Sequence, residues 1–267
     1  MIVVDSQIHP WSEGTSTGHH QKEPIDEHVL CSDMKNAGVD RAVLVPPLWD
    51  PNGNAYALSL TRKFPEKFCV MGLLDPRQPD AAAQLYGYAQ EAGMRGVRFL
   101  LNTAERIQPY EDGCMDDLWP VAEDLGLPVA LLIPGRLEVA AHVARKYPRL
   151  KIIVDHLGVP RASLGEMAFK HLPELLRLAD LPNIHVKAAG VGDYALDPFP
   201  FSSLDAPLQA IFSAFGSERV MWGSDLSRLH HPYAHCVEHF KSHLAFLSPT
   251  DVERVMGKNI LELLQWS

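Results

Sequence analysis

Apolar residues along this chain gather into short continuous runs rather than alternating with polar ones. The runs are Ile2–Val4, Ala42–Pro46, Cys69–Leu74, Gly96–Leu100, Val129–Ile133, Ile152–Val154, Ile184–Ala188 and Val220–Trp222. Continuous apolar strands are the pattern of a parallel sheet covered on both faces. Between them the apolar spacing turns helical, near residues 26–37, 53–63, 79–92, 115–125, 137–146, 163–179, 203–215 and 232–246. Gly38, Gly93, Gly126 and Gly216 each follow a helical segment and precede a strand, where a glycine can end a helix in the left-handed conformation. Eight strand–helix pairs in 267 residues leave about 33 residues per pair, the length of a βα unit. Eight such units predict a (β/α)8 TIM barrel. A ninth helical segment, Pro249–Gln265, opens on Ser248 and Pro249 and adds an extra C-terminal helix.

An open doubly wound sheet would alternate in the same way. However, neither a GxGxxG nor a P-loop motif follows any of the strands. No linker, low-complexity tract or composition break interrupts the chain, so residues 1–267 are expected to form a single domain.

Composition narrows the class of function. Hydrophobic residues at 46% and charged residues at 21% are globular values. The net charge of −9, without a basic run, argues against a phosphate-tracking nucleic-acid binder. Cys31, Cys69, Cys114 and Cys236 form no CxxC pair and are expected to be buried thiols in a reducing compartment. The start MIVVDSQIHP lacks the basic region of a signal peptide, and no apolar run approaches a membrane span. The expectation is a cytoplasmic protein with a small-molecule substrate and neither nucleic acid nor membrane as partner; a homo-oligomer is compatible with it.

In barrels of this kind chemistry collects at the carboxyl ends of the strands. Strand one is followed by Asp5-Ser6-Gln7-Ile8-His9, strand four carries Arg98, strand six ends in Asp155-His156-Leu157-Gly158, strand seven carries Lys187, and strand eight ends in Gly223-Ser224-Asp225. Each could serve as a cap or a loop anchor. A closed barrel would nevertheless bring His9, His156 and Asp225 around one mouth, where imidazoles and a carboxylate can polarise a carbonyl and deprotonate water.

The segments VDSQIHPW, VDHLG, VKAAG, WGSDL and GKNILELL, in that order, together resemble the amidohydrolase-2 branch of the amidohydrolase superfamily. The likeness is strongest to its lactonase group, which includes 2-pyrone-4,6-dicarboxylate hydrolase and fuconolactonase. The resemblance spans essentially the whole chain and implies a hydrolase that acts on ester bonds. The family's first strand ends in a His-x-His pair, and here Gln7 stands in the first position. Metal-dependent members add a strand-five histidine or a strand-four lysine, whereas this chain has Arg98 in strand four and an apolar strand five. A metal is therefore not expected and no cofactor is expected to be required. The alternative is one divalent ion, Zn or Mn, held by His9, His156 and Asp225.

The reading that follows is a hydrolase opening a lactone, or a related carboxylic derivative, of a small anionic molecule. Asp225 would take a proton from water, with His9, His156 and Gln7 at the carbonyl oxygen. Arg98, Lys187 and Arg228 would bind the substrate or assist there, and Trp49 and Tyr194 would supply an apolar wall, joined by Trp11, Phe199 and Phe201. Arg98 and Lys187 could instead pair with Asp5, Asp75 or Asp155. Arg136 and Arg161 are further anion-binding candidates. The alternatives are a metal-dependent decarboxylase of the same branch and a non-catalytic ligand-binding barrel. Two histidine groups are expected to lie elsewhere: His235, His239 and His243 as a helical stripe on the outer ring, and His19-His20 in a polar surface loop, the alternative being that they enter the site as part of a lid after strand one.

Overall fold

The structure is a computed structural model and describes residues 1–16 and 18–267. Eight strands, β1 (Val4–Ile8), β2 (Arg41–Leu44), β3 (Phe68–Leu73), β4 (Met94–Leu100), β5 (Val129–Leu132), β6 (Ile152–Val154), β7 (Ile184–Ala189) and β8 (Val220–Gly223), form one sheet in sequential order. Every paired neighbour is parallel. The seam between β8 and β1 is sewn by Asp225 N–H to Gln7 O at 3.0 Å and Ser224 N–H to Asp5 Oδ1 at 2.9 Å. The result is the (β/α)8 barrel that the apolar pattern predicts.

Strand residues alternate between two apolar cores because side chains on a strand point to opposite faces. In β2, Ala42 and Leu44 pack outward against helices, while Val43, and Val45 just after the strand, pack inward. Cys69, Met71, Ala130, Ile153 and Met221 share the inner cluster with Ile260, Leu263, Leu264 and Trp266 from the chain's end. Asn259 Nδ2 donates to Val220 O at 2.8 Å, so this final segment seals the amino end of the barrel at the start of β8. Chemistry is left to the carboxyl end. The same alternation turns Arg98 inward between outward-packed Val97 and Phe99, and Lys187 inward between Val186 and Ala188.

The helices are α1 (Glu27–Ala37), α2 (Gly53–Lys63), α3 (Ala81–Gln90), α4 (Ala104–Glu111), α5 (Leu118–Asp124), α6 (Leu137–Lys146), α7 (Leu172–Arg177), α8 (Asp205–Phe215), α9 (Tyr233–Glu238), α10 (Pro249–Glu253) and α11 (Asn259–Leu263). Gly38 ends α1 at φ 74°, ψ 35°, and its N–H reaches Met34 O and Lys35 O. Ser248 opens the C-terminal segment with a reciprocal cap to Asp251.

Four sequence expectations are corrected. The first strand runs over Val4–Ile8 rather than Ile2–Val4, so Asp5, Ser6 and Gln7 lie within it, fully buried. They fit there because Asp5 is saturated: it accepts from Gln7 N and Ser224 N at 2.9 Å and from Tyr233 Oη at 2.7 Å. Helix α4 has no counterpart in the apolar pattern; Thr103 caps it, accepting from Arg106 N at 3.2 Å, and Pro109 lies inside it. The expected helix 163–179 is α-helical only over Leu172–Arg177, since Pro173 fits the first turn and not a helix interior. All four cysteines are free, but only Cys69 and Cys236 are buried; Cys31 is half-buried and Cys114 is exposed. No helix among the described residues is long and apolar enough to cross a membrane.

Candidate active site

Two strained turns build the site. After β6, His156 (φ 53°), Leu157 (φ 55°) and Gly158 (φ 68°) are consecutively left-handed, and after β8 Asp225 adopts φ 53°. Each non-glycine residue held there costs on the order of 1–2 kcal/mol, so the surroundings must over-determine it. For Asp225 they do, through its backbone N–H to Gln7 O and the charged groups around its carboxylate.

Asp225 is fully buried. Its Oδ2 accepts from Arg228 Nη1 at 3.2 Å and lies 3.8 Å from His156 Nδ1, while Oδ1 lies 3.2 Å from His9 Nε2. Burial pushes its pKa up, but His156, His9 and Arg228 outweigh burial and hold the carboxyl well below the usual range. Burial pushes the His156 imidazole down to about 4 against the pull of Asp225. Its Nδ1 lies 3.2 Å from Ala189 O. A carbonyl only accepts, so that nitrogen carries the hydrogen and the neutral ring presents a lone pair at Nε2.

The partners of His9 are ordered by the same logic. Its Nδ1 donates to Val45 O at 2.6 Å. Lys187 Nζ donates to Gln7 Oε1 at 3.0 Å, which leaves the Gln7 amide nitrogen to donate to His9 Nε2 at 3.2 Å. Beyond Lys187 lies Asp155, whose Oδ2 accepts from Arg98 Nε at 2.6 Å and whose Oδ1 is 3.3 Å from Lys187 Nζ. Burial opposes ionisation of Asp155, yet Lys187 and Arg98 together keep its pKa lowered. The Lys187 ammonium is pushed down by its own burial.

The structure therefore brings His9, His156, Asp225, Gln7 and Arg228 together, and joins Arg98 and Lys187 to them through Asp155. Because buried cations need a counter-charge, Arg98 and Lys187 share Asp155, one of the three expected carboxylates. Asp75 pairs with Arg77 instead. Trp49 packs 6.4 Å from His9 between ring centroids, and fully buried Trp11 stands behind it at 5.4 Å. Tyr194 is buried beside Arg228, Arg161, Phe201 and His231 in a cleft of about 490 Å³. A second cleft, of about 510 Å³, opens across the mouth beside Leu48, Leu73 and Phe99. Phe199 stacks on His235 at 4.3 Å and His239 Nδ1 donates to Pro200 O at 2.7 Å, so that stripe serves packing. Arg136 stands apart, just before α6.

His19 follows the second of the two readings open to it from the sequence. Instead of lying in a surface loop, it is folded over the mouth, its ring 5.1 Å from His9 and 4.9 Å from Trp49. Its Nδ1 is 2.7 Å from Ser227 Oγ, and Gln21 N donates to Ser227 O at 2.9 Å. Burial and the neighbouring His9 push its pKa down to about 3. The Arg161 guanidinium packs against the bare backbone of Gly18, in the space that a Cβ there would occupy. Among the described residues, the donors that converge closely enough for a metal are His9, His19 and Asp225, with ligand atoms all within 4.8 Å of one another, and not the expected set that included His156.

A barrel with polar residues from β1, β4, β6, β7 and β8 converging at its carboxyl end defines a class of metabolic enzyme scaffold. The amidohydrolase family model matches residues 4–266, and the chain belongs to that family. L-fucono-1,5-lactonase from Burkholderia ambifaria is 28% identical over 277 residues, covering 96% of this chain and 93% of the relative. An amidohydrolase from Burkholderia multivorans, solved with bound zinc, superposes with a TM-score of 0.81 at 19% identity, covering 99% of each chain. A protein from Pseudomonas putida assigned as a 2-pyrone-4,6-dicarboxylic acid hydrolase superposes with a TM-score of 0.77 at 23% identity, covering 99% of this chain and 97% of that one.

Proposed function

We propose that this protein is a hydrolase that opens a lactone of a small anionic molecule, with Asp225 as the base. The observation that carries the reading is the Asp225 carboxylate. It is buried, its Oδ2 is held by Arg228, and its Oδ1 is left without a hydrogen-bond donor beside His9. The curated relative supplies the reaction class and points to a six-membered sugar lactone.

In this mechanism a water donates one hydrogen to Asp225 Oδ1 while its oxygen attacks the lactone carbonyl carbon. The proton passes to Asp225 as the tetrahedral oxyanion forms. The oxyanion then collapses, the ring C–O bond breaks, and the leaving oxygen recovers that proton to give a hydroxy acid. Neutral His156 presents a lone pair at Nε2 and His9 Nε2 lies 3.2 Å from Asp225 Oδ1, so their task is to orient the water. The donors for the oxyanion are the second amide hydrogen of Gln7 and the guanidinium of Arg228; one such donor is worth about 2.7–4 kcal/mol. Arg98 and Lys187 share the Asp155 carboxylate, Lys187 positions Gln7, and neither holds a substrate carboxylate. That role goes to Arg228 and Arg161, which line the cleft with Tyr194.

Two imidazoles and a carboxylate suit a divalent ion, and one held by His9, His19 and Asp225 would polarise water. None is required by the proton transfers above. The proposal extends to a single domain in the cytoplasm. The test is a panel of sugar-acid and pyrone lactones read by acid release, comparing the wild type with Asp225→Asn. Catalysed opening of at least one lactone that Asp225→Asn does not open supports the reading; no activity across the panel sinks it.

A further inference from the structure

We propose that the substrate carries an apolar arm, about the size of a phenyl ring, and that Leu164, Tyr194 and Phe201 select for it. The arm lies in the cleft that leads outward from Arg228, with the substrate carboxylate on Arg228 and Arg161. The proposal deepens the lactonase reading and rests on it for the place of the lactone ring, at Asp225. That ring can be the six-membered one of the curated relative; what differs is the group attached to it.

Three observations carry the proposal. The first is room. The cleft begins at Arg228, whose Nη1 is 3.2 Å from Asp225 Oδ2, and runs between the loops that follow β6, β7 and β8. Its volume of about 490 Å³ falls within the roughly 300–1,000 Å³ of sites that bury drug-sized ligands, and a lone lactone ring would leave much of it empty.

The second is the chemistry of the walls. A polyhydroxylated substrate needs free acceptors for its hydroxyls, and the two carboxylates of the cleft are already engaged. Asp193 Oδ1 accepts from His230 N at 3.2 Å and lies 3.6 Å from the rings of both His230 and His231. Asp197 accepts from Ser203 N at 3.1 Å and from Ser203 Oγ. Much of the remaining wall is apolar, with buried Tyr194 and Phe201 facing Ala162, Leu164 and Ala195 across the cleft's lining. Two of these residues are held in the left-handed region, Ala162 at φ 61° and Phe201 at φ 64°, and such strain collects where a ligand is clamped.

The third is the rim. Leu164 is 48% exposed and Leu196 is 74% exposed. They adjoin, because Leu196 Cδ1 fills the space beside Gly165 in which a Cβ would stand. Exposed leucines that meet across two loops, in continuity with a cleft, are the mark of a binding surface.

The test titrates full-length ¹⁵N-labelled protein with 4-phenylbutanoate and with gluconate, one acid carrying a phenyl arm and the other hydroxyls, with no lactone present. 4-Phenylbutanoate should move the signals of residues 161–165 and 192–197 and bind at least about tenfold more tightly than gluconate, the gain expected from burying a phenyl group. Leu164→Asn should cut that preference by about fivefold, whereas Leu48→Asn, beside the cleft across the mouth, should keep it. Both leucines are half exposed, and circular dichroism establishes that the variants are folded. Gluconate bound as tightly as 4-phenylbutanoate, shifts confined to the Leu48 cleft, or self-association in sedimentation that Leu164→Asn abolishes would each overturn the proposal, the last by showing that a second copy of the chain covers the rim. An opened lactone panel with gluconate preferred defeats the arm alone. Tight 4-phenylbutanoate binding with an unopened panel defeats the lactonase reading alone.

Discussion

Lys187 Nζ donates to Gln7 Oε1 across 3.0 Å inside the barrel, and this bond orders the hydrogens at the candidate site. A charged lysine has no lone pair, so Gln7 must turn its oxygen to Lys187 and its amide nitrogen to His9. A histidine at position 7 could meet both neighbours only by placing an acceptor nitrogen toward Lys187. Glutamine, with one acceptor end and one donor end, suits a site in which the inward neighbour is an ammonium.

The tautomer of His9 follows. ¹⁵N spectra of histidine-labelled protein at neutral pH should show His9 protonated at Nδ1, where it donates to Val45 O at 2.6 Å, with an imine-type signal at Nε2. The opposite tautomer would mean that Gln7 is reversed and the relay from Lys187 is misassigned.

Asp155 holds two buried cations, with Arg98 Nε at 2.6 Å and Lys187 Nζ at 3.3 Å. Replacing it by Asn leaves both charges without a counter-ion, and breaking a buried pair in this way costs about 3–5 kcal/mol. Urea denaturation of Asp155→Asn at pH 7 should show a loss of that order. A loss below about 1 kcal/mol would mean that the cations find another partner.

Acid should destabilise the protein in two windows. His156 is held down to about 4 by burial, whereas an unfolded histidine titrates near 6.5. Between those values the unfolded chain binds the proton that the folded one refuses, so stability is full above about pH 6.5 and falls toward pH 4. Asp155 has its pKa lowered by Lys187 and Arg98 against burial. Its contribution is present above the unfolded carboxylate value, about 3.9, and is lost as pH falls below that. Unfolding free energy measured from pH 7 to pH 3.5 should decline through the first window in the wild type and more shallowly in His156→Asn, where asparagine also tolerates the left-handed backbone. Parallel curves would remove His156 as the cause.

Strand positions were legible because a barrel strand is buried on both faces and reads as an apolar run. The first strand was misplaced for the complementary reason. Asp5, Ser6 and Gln7 are polar yet buried, and nothing local announces that Asp5 is saturated by Ser224 and Tyr233, more than two hundred residues away. The convergence of His9, His156 and Asp225 could be read from the rule that strand ends share a mouth. His19 could be read only as one of two options, a surface loop or a lid, because its position depends on Ser227 and Trp49, contacts that no periodicity encodes. The roles of Arg98 and Lys187 were legible only as a choice among three carboxylates, which inward orientation and burial resolve to Asp155.

Chelation should leave lactone turnover in place, because every proton transfer in the proposed reaction runs between water, substrate and Asp225. Activity measured on metal-free protein, established by elemental analysis, checks this. Turnover abolished on stripping and restored by Zn²⁺ or Mn²⁺ would transfer the water-activating role to an ion and favour a metal-dependent reading of the site.

Asp225→Asn is the most discriminating substitution. Asparagine keeps the shape, can still accept from Arg228, and is among the few residues at ease at the φ of 53° that position 225 requires. The fold should therefore be preserved, with melting lowered only as far as Arg228 loses its counter-charge. What is lost is the proton acceptor, since an amide oxygen is not a base at neutral pH. General-base catalysis contributes typically about 10²–10⁴-fold, so kcat should fall by that factor. KM should change little, provided substrate dissociates faster than it reacts. An Asp225 that served only to shape the turn after β8 would leave turnover near normal. A folded Asp225→Asn protein with wild-type kcat would remove Asp225 from the chemistry and leave the arrangement of His9, Gln7 and Lys187 as a structural network alone.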